Sequence, residues 1–331
     1  MSVLKPGVYA PVPSPFTQDG KEDLALPPFE YQVKRLVDAG AGIVVAGTLG
    51  EAGMLSRDER TTLIRTARGI IDAAGAEKAV PLIAGAGGGS VRESVQLAEE
   101  AAEAGADAVI VVAPAYYAFA YGKDKDAVKD FFTSIADRSR VPVMIYNIPF
   151  AAGGIDLDAD MLIELSEHKN IVGVKLTCYN ISKGHKVALH VNTAQYQQRH
   201  PLPFLVLPGS SDYLLPAIVG RQHGCIAGPV KLYPKVCAKI FRLSTQALVE
   251  RDMAKLEEAQ HLQDTVTDAD SVINRVGFLG IKAALDIHVA PQSGLDFLGG
   301  ACRKPLPEVS PTVKLAMRDG LKRVFELENA I

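Results

Sequence analysis

Ile171-Val172-Gly173-Val174-Lys175 is a short, almost wholly apolar run that ends in a lysine, and seven similar runs recur along the 331-residue chain. Runs of this kind, with β-branched residues and flanking Gly- or Pro-containing turns, are typical of parallel strands covered on both faces. The eight runs span residues 8–12, 43–47, 81–85, 108–112, 141–146, 171–175, 204–207 and 225–227. They predict a sheet of eight parallel strands.

Segments with a helical period separate the runs, at residues 26–39, 56–73, 91–104 and 125–136. The second of them opens with Ser56 followed three residues later by Glu59, which is the pattern of a capping box. Repeated alternation of strand and helix favours an α/β fold of the closed (β/α)8 type, a TIM barrel. An open doubly wound sheet remains the alternative, because periodicity alone cannot count strands around a cylinder.

The strand pattern stops after residue 227, and the rest of the chain has the pattern of helices, at residues 231–243, 253–267, 278–287 and 311–327. The first of these helices can complete the barrel, and the others predict a C-terminal helical extension. No long linker or low-complexity segment divides the chain. We therefore expect a catalytic barrel over residues 1–245 and a helical layer over residues 246–331.

The composition argues against several classes of protein. Charged residues make up 22% of the chain and the formal net charge is −3, so we expect no nucleic-acid and no membrane partner. No apolar stretch reaches the roughly 20 residues of a membrane span. The four cysteines form no C-x-x-C pair, and the first residues lack a signal- or transit-peptide pattern, which together predict a cytoplasmic protein with reduced thiols. The seven histidines lack metal-ligand spacing, so we expect no metal.

Lys175 is the first candidate for chemistry, because reacting groups of barrel enzymes lie at the C-terminal ends of strands. Its amine ends an apolar strand, and burial in a barrel mouth favours the neutral form that can attack a carbonyl. A strand-end lysine can also reach solvent or pair with an acid, and the local sequence leaves both interpretations open.

Two other strand ends carry candidate groups. Tyr146 closes the strand before that of Lys175, and its phenol can donate to a carbonyl oxygen and move a proton, although such tyrosines are more often packing residues. The Gly-Thr-Leu-Gly-Glu loop at residues 47–51 follows the second strand. This loop can bind a carboxylate through main-chain N–H groups and the Thr48 hydroxyl, or it can be an ordinary turn.

The glycine-rich segment at residues 85–90 invites a dinucleotide-binding interpretation. It departs from G-x-G-x-x-G at the last position and follows the third strand, whereas a nicotinamide site prefers the first strand–helix unit. We interpret the segment as a barrel loop that ends with Ser90 as a helix N-cap. A nicotinamide-dependent enzyme remains an alternative that a cofactor titration can exclude.

Taken in order, the motifs resemble those of the pyruvate-dependent class I lyases typified by dihydrodipicolinate synthase and N-acetylneuraminate lyase. Residues 47–51 match G-[TS]-x-G-E, residues 146–149 match Y-N-[VI]-P, residues 173–175 match the Schiff-base strand, and residues 208–210 match the loop after the seventh strand. The resemblance covers nearly the whole chain, and an ordered set of motifs is far more specific than any one of them.

The resemblance implies catalytic roles for four residues. Lys175 forms an imine with the 2-oxo group of the substrate, and Tyr146 moves protons between the imine intermediates and the aldehyde oxygen. Thr48 holds the substrate carboxylate together with the backbone N–H of Leu49, and it links Tyr146 into a proton relay. Tyr117 is similar to the relay tyrosine that relatives donate across a dimer interface.

The resemblance also implies the shape of the pocket and the state of assembly. The loop with Gly209 and Ser210 and the carbonyl group of Ile226 border the pyruvate pocket, and Thr177 contacts a substrate hydroxyl as in sugar-acid lyases. A 2-oxo acid is the implied small-molecule partner, with no cofactor. The protein is expected to be a homo-oligomer, either a dimer or a tetramer.

Departures from the family pattern narrow the substrate. Dihydrodipicolinate synthases carry an arginine for the second substrate where this chain has Ala151, so condensation with aspartate semialdehyde is not expected. Their second loop threonine is Leu49 here, which leaves carboxylate binding more dependent on the backbone.

Residues 114–117 and 300–303 are similar to 4-hydroxy-2-oxoglutarate aldolases and to fungal 2-keto-3-deoxy sugar-acid aldolases. Residues 47–52 and 174–178 lean toward the fungal L-threo-3-deoxy-hexulosonate type, which releases pyruvate and L-glyceraldehyde. Cleavage of 4-hydroxy-2-oxoglutarate is the rival activity, and it requires a cation in the distal pocket for the second carboxylate. A non-catalytic 2-oxo-acid sensor is a third hypothesis.

Overall fold

The computed structural model describes residues 4–331 and shows eight strands around one barrel. Every strand pair is parallel, and the order is β7-β6-β5-β4-β3-β2-β1-β8. All eight predicted strands are present, with ends shifted by one or two residues. The strands are β1 (Gly7–Pro11), β2 (Gly42–Val45), β3 (Leu82–Gly85), β4 (Ala108–Val112), β5 (Val143–Asn147), β6 (Ile171–Leu176), β7 (Leu205–Pro208) and β8 (Gly224–Ile226).

Helices surround the strands and continue after the last one. Those between strands are α1 (Leu26–Asp38), α2 (Arg57–Ala73), α3 (Val91–Glu103), α4 (Ala118–Tyr121), α5 (Lys125–Ala136), α6 (Ala159–Ser166), α7 (Ile181–Val191), α8 (Ala194–Arg199) and α9 (Leu214–Val219). Those after β8 are α10 (Pro234–Glu250), α11 (Met253–Asn274), α12 (Phe278–His288), α13 (Pro311–Gly320) and α14 (Lys322–Ala330). The TIM barrel with a C-terminal helical extension is therefore confirmed.

Local signals in the sequence set the helix starts. Ser56 accepts a hydrogen bond from the Glu59 N–H at 3.2 Å, and the Glu59 carboxylate accepts the Ser56 N–H at 2.8 Å, which is the predicted capping box. Ser90 caps α3 by accepting the Glu93 N–H at 3.2 Å, as predicted for the glycine-rich loop. Each cap satisfies an N–H group that a helix start leaves without a partner.

Three differences from the predicted helices lie in the C-terminal part. The segment at residues 311–327, predicted as one helix, is two helices that break at Leu321. Gly320 ends the first of them, and a side chain there would come within 2.9 Å of Val272 on α11, so close packing selects a residue that weakens a helix. Helix α10 runs to Glu250 rather than to the predicted residue 243, and α11 runs to Asn274 rather than to residue 267.

The side chains of the strands form two apolar layers because successive residues point to opposite faces. In β2, Val44 packs inside the barrel with residues such as Ile83 and Met144, whereas Ile43 and Val45 pack outward against the helices. Inward-facing side chains fill the barrel, so an open site remains only at its ends.

His223 joins β7 to β8 and so closes the barrel. Its backbone N–H donates to the Val206 carbonyl at 2.9 Å, and the Val206 N–H donates to His223 Nδ1 at 3.0 Å. Its other ring nitrogen, Nε2, lies 2.9 Å from Asn192 Oδ1. Because Nδ1 accepts, the ring must be neutral with its proton on Nε2. Burial lowers the pKa of His223 to about 4.

This arrangement predicts that the contact of His223 with β7 loses stability in acid. The pKa of His223 is lower in the folded chain than the usual 6.5, so the folded state binds fewer protons than the unfolded state between pH 6.5 and 4. Stability should therefore fall as the pH falls through that window, by a contribution on the order of 3 kcal/mol. The variant His223→Asn keeps an acceptor but does not titrate. We expect its melting temperature to fall less than that of the wild type between pH 7 and 4.5.

The matched control is His261→Asn, which removes an exposed histidine of α11 and should keep the wild-type acid sensitivity. Equal acid sensitivity in His223→Asn and the wild type would show that protonation of His223 does not cause the loss of stability.

Candidate active site

Lys175 and Tyr146 lie side by side at the C-terminal ends of neighbouring strands. They are direct partners in the register of β5 and β6. The Lys175 Nζ atom lies 4.0 Å from the centroid of the Tyr146 ring, and only 7% of the lysine and 8% of the tyrosine are exposed. The barrel thus buries an amine against the face of a phenol.

The environment of Tyr146 lowers the pKa of its phenol, although two influences oppose each other. Burial by itself raises the pKa of Tyr146, but the positive charge of Lys175 lowers it, and the polar side chains of Lys175, Thr48 and Thr177 act in the same direction. The net effect is a pKa below the ordinary value of 10.0. A phenol with a lowered pKa can give up and regain a proton more readily near neutral pH.

A cavity of about 630 Å³ opens in front of this pair. It brings together seven of the nine site residues that the sequence predicted, namely Thr48, Leu49, Tyr146, Lys175, Thr177, Gly209 and Ser210. These residues follow four different strands. Their convergence at one end of the barrel is the arrangement in which parallel barrels build active sites.

The loop at residues 47–51 presents donors to the cavity. Within residues 4–331, the backbone N–H groups of Thr48 and Leu49 donate to no protein acceptor. The loop folds back on itself through hydrogen bonds from the Glu51 N–H to the Thr48 carbonyl and from the Ala52 N–H to the Gly47 carbonyl, both 3.1 Å long. Two free N–H groups on a tight loop suit a carboxylate.

A buried ion pair fixes the end of this loop. Lys282 of α12 donates to the Glu51 carboxylate at 2.7 Å, and both side chains are almost fully excluded from solvent. Lys282 also donates to the carbonyl groups of Ser14 and Ala301 at 3.0 and 2.9 Å, and the Arg303 N–H donates to Glu51 at 2.9 Å. Every polar group of the pair thus has partners, which a buried charge requires.

Hydroxyl groups line another side of the cavity. Thr177 is 6% exposed, and its Oγ1 atom interacts with the Tyr146 phenol, whose pKa it lowers. Gly209 passes so close that a side chain there would lie 2.0 Å from this oxygen. Ser210 is buried, and its hydroxyl bonds to Asp212, whose pKa is raised by burial despite that bond. A hydroxyl both donates and accepts, so the Thr177 hydroxyl at the cavity wall can interact with Tyr146 and with a ligand.

Two predicted site residues lie outside the cavity. Tyr117 is 61% exposed and contacts the ring of Tyr116, with 4.9 Å between centroids, in an exposed aromatic patch that includes Phe119. Ile226 is fully buried and packs inside the barrel, in the same cluster as Tyr146. In one chain, therefore, the Tyr117 side chain does not border the space in front of Lys175, and the contact predicted for the Ile226 carbonyl group stays a prediction.

Three further residues were not found from the sequence. Arg60 of α2 lines the cavity, Tyr179 lines it with a left-handed backbone (φ 55°), and Lys282 supports the loop from α12. Arg60 lies in the first turn of a helix rather than at a strand end, and no local motif marks it. The positive φ of Tyr179 is not readable from its residue type, since such conformations favour Gly, Asn or Asp.

The described residues 4–331 contain no group of three or more His, Cys, Asp or Glu side chains placed to hold a metal ion. All four cysteines are free thiols. A search of the helices over the same range finds none that is both long enough and apolar enough to cross a membrane.

Comparison with known proteins gives consistent matches over the full length. The family model described as "Dihydrodipicolinate synthetase family" matches residues 5–324. The "L-threo-3-deoxy-hexylosonate aldolase" of Aspergillus niger is 35% identical over 99% of this chain and 97% of its own. The "Probable 4-hydroxy-2-oxoglutarate aldolase, mitochondrial" of Emericella nidulans is 34% identical over 99% and 97%. A dihydrodipicolinate synthase family protein from Coccidioides immitis has the same fold, with a TM-score of 0.83, 31% identity and coverage of 99% and 98%.

The Glu51–Lys282 pair predicts a specific pattern of stability. Lys282→Met leaves the Glu51 carboxylate buried without its cation, and we expect a loss of about 3–5 kcal/mol. The double variant Glu51→Gln/Lys282→Met removes both charges and should recover most of that loss. Thermal unfolding of the three proteins measures the difference.

Lys34→Met is the matched control, because its ion pair with Asp38 is exposed and should contribute no more than about 1 kcal/mol. A double variant no more stable than Lys282→Met would show that the buried charge of Glu51 is not the cause of the lost stability.

Proposed function

The chain belongs to the dihydrodipicolinate synthetase family, and on that premise we propose that it cleaves a 2-keto-3-deoxy sugar acid as a class I aldolase. The observation that carries the proposal is the buried contact between the Lys175 amine and the Tyr146 phenol at the mouth of the barrel. An amine and a phenol in contact can form an imine and move the protons that this chemistry requires.

The reaction begins at the 2-oxo group of the substrate. The Lys175 ammonium passes a proton to the Tyr146 phenolate, and the neutral amine attacks this carbonyl carbon. The Tyr146 phenol then gives the proton with which the carbonyl oxygen leaves as water, so that a protonated imine remains on Nζ and a phenolate on Tyr146. The imine draws electrons from the neighbouring carbons and so weakens the bond between C3 and C4.

Tyr146 then serves first as a base and then as an acid. Its phenolate removes the proton of the C4 hydroxyl, the C3–C4 bond breaks, and its electron pair moves into an enamine on Lys175 while an aldehyde leaves. The phenol returns the proton to C3, and water hydrolyses the imine to free Lys175 and pyruvate. The lowered pKa of Tyr146 supports both roles.

The loop at residues 47–51 orients the substrate. Its free Thr48 and Leu49 N–H groups bind the 2-oxo acid carboxylate, which places the adjoining carbonyl toward Lys175. Thr177 and Ser210 then lie on the side where the hydroxyl-bearing part of the substrate extends. The Thr177 and Ser210 hydroxyls at the cavity wall support a polyol at this position.

We assign L-threo-3-deoxy-hexulosonate as the substrate, with pyruvate and L-glyceraldehyde as products. The relative from Aspergillus niger carries this activity in its name, and Ala151 offers no charge to an acidic second substrate. The rival is 4-hydroxy-2-oxoglutarate, supported by the name of the Emericella nidulans relative. That substrate needs a second cation for its distal carboxylate, and the described lining residues offer, besides Lys175, Arg60, whose hydrogen bonds to Ala52 and Gly85 hold it beside the loop at residues 47–51.

The aromatic patch of Tyr116, Tyr117 and Phe119 supports a homo-oligomer. Phe150 is also exposed, to 72%, and apolar rings of this size on a surface are typical of contact sites between proteins. A second copy packed on the patch can bring its own Tyr117 to the cavity and complete a proton relay with Thr48 and Tyr146.

A cytoplasmic location stays a prediction. Four free thiols suit a reducing compartment, and the mitochondrial label of the Emericella nidulans relative names the alternative. Imaging of the tagged full-length protein distinguishes the two locations.

Trapping with borohydride tests the imine. Reduction in the presence of pyruvate should add the reduced pyruvyl group to Lys175, detected by peptide mass, because an imine is reduced to a stable amine. Lys175→Ala should form no adduct and lose turnover while keeping its melting temperature. The exposed Lys169→Ala is the control and should behave as the wild type. Turnover retained by Lys175→Ala would refute the nucleophile, and binding of 2-oxo acids without turnover in the wild type would support a sensor.

A comparison of two substrates tests the choice of sugar acid. We expect kcat/KM for L-threo-3-deoxy-hexulosonate to exceed that for 4-hydroxy-2-oxoglutarate by at least about tenfold, because the Thr177 and Ser210 hydroxyls suit a polyol and the lining cation Arg60 is held beside the loop at residues 47–51. Chiral analysis of the aldehyde identifies the product. The reverse order of kcat/KM would favour the rival activity.

A further inference from the structure

Arg60 is a cation at the cavity that the reaction described above does not use. Of the described residues that line the cavity, the charged ones are Glu51, Arg60 and Lys175. Glu51 is neutralised by Lys282, and Lys175 is the nucleophile. Of these three charged side chains, Arg60 is therefore the one without a role in the proposed reaction.

The guanidinium group of Arg60 lies beside the loop at residues 47–51. It donates to the Ala52 carbonyl and, at 3.3 Å, to the Gly85 carbonyl. The Ala52 N–H donates a hydrogen bond to the Gly47 carbonyl. Gly85 packs so close to the residue before the loop that a side chain on it would lie 1.9 Å from the Ala46 carbonyl oxygen. Both contacts thus place the charge next to the loop whose Thr48 and Leu49 N–H groups are free.

No carboxylate neutralises Arg60 within ion-pair distance in the part of the chain that the structure describes. Glu93 is the acid whose charge acts on it, and the Glu93 carboxylate accepts the Gly89 N–H at 2.6 Å. A guanidinium carries five N–H donors, and two carbonyl groups leave part of this capacity unused. A half-buried cation without an acid favours the arrival of an anion.

We propose that Arg60 is the charge that selects a carboxylate at the 47–51 loop, a proposal that rests on the function assigned above. Its two hydrogen bonds hold Ala52 and Gly85 in place, and its charge attracts the carboxylate toward the Thr48 and Leu49 N–H groups. Leu49 brings no side-chain hydroxyl to the loop, so the field of a nearby cation adds to what the backbone supplies.

The test separates charge selection from mere support of the loop. The rate of borohydride inactivation is measured against the concentration of pyruvate and of methyl pyruvate, a neutral ester with the same ketone. Arg60→Gln should raise the half-saturating concentration of pyruvate by roughly tenfold or more, because a charged contact is lost. The value for methyl pyruvate should change less than about twofold. Arg65→Gln removes an exposed charge from the same helix and should leave both values unchanged.

Each other outcome overturns the proposal. An equal rise for both compounds would mean that Arg60 only supports the loop, and no rise for either would mean that it plays no part in binding. Arg60→Lys keeps the charge and should retain most of the preference for pyruvate; loss of that preference would rule out selection by charge. Absence of a trapped adduct with either compound in the wild type would instead mark failure of the imine mechanism.

Discussion

All eight strands run in the same direction around the barrel, and this constraint decides which side chains can meet. Parallel strands place their C-terminal ends on one rim, so that Tyr146 and Lys175, far apart in the sequence, become register partners. The loops after β2 and β7 open at the same rim and bring Thr48 and Ser210 to the same cavity. The contact of amine and phenol is thus a consequence of strand direction and register.

The C-terminal helices α11 and α12 form hydrogen bonds with the loops at the rim of the barrel. Gln263 and Thr267 of α11 donate to the carbonyl groups of Ser211 and Asp212 at 2.9 and 2.7 Å, which fixes the loop after β7. Asp270, one turn further on, accepts the Ser211 hydroxyl at 2.7 Å, and burial raises the pKa of Asp270 to about 7. Lys282 on α12 holds the loop after β2. The C-terminal extension therefore fixes two of the loops that line the candidate site.

The sequence allowed the strands and the residues at their ends to be predicted, because alternation and strand-end position are local signals. Lys175, Tyr146 and Thr48 were found in this way and lie together at the cavity. Arg60 and Lys282 were not found, since a residue on a helix reaches the rim only through packing that no short motif records. The roles of Tyr117 and of the Ile226 carbonyl group came from resemblance and stay predictions, and one chain alone does not bring the Tyr117 side chain to the cavity.

Charge links the parts of the site to one another. The Glu51 charge is balanced by Lys282, so the cavity is left with the positive charges of Arg60 and Lys175. In the proposed binding mode the 2-oxo acid has the charge of Arg60 near its carboxylate and Lys175 at the carbon that reacts. In the proposed reaction the protonated imine keeps a positive charge where the Lys175 ammonium was, so the field that lowers the pKa of Tyr146 persists after the covalent bond forms. The Tyr146 phenolate is consequently still stabilised as a base while the C3–C4 bond breaks. The enamine carries no charge, so its formation favours the protonated Tyr146 phenol, which can then give its proton to C3.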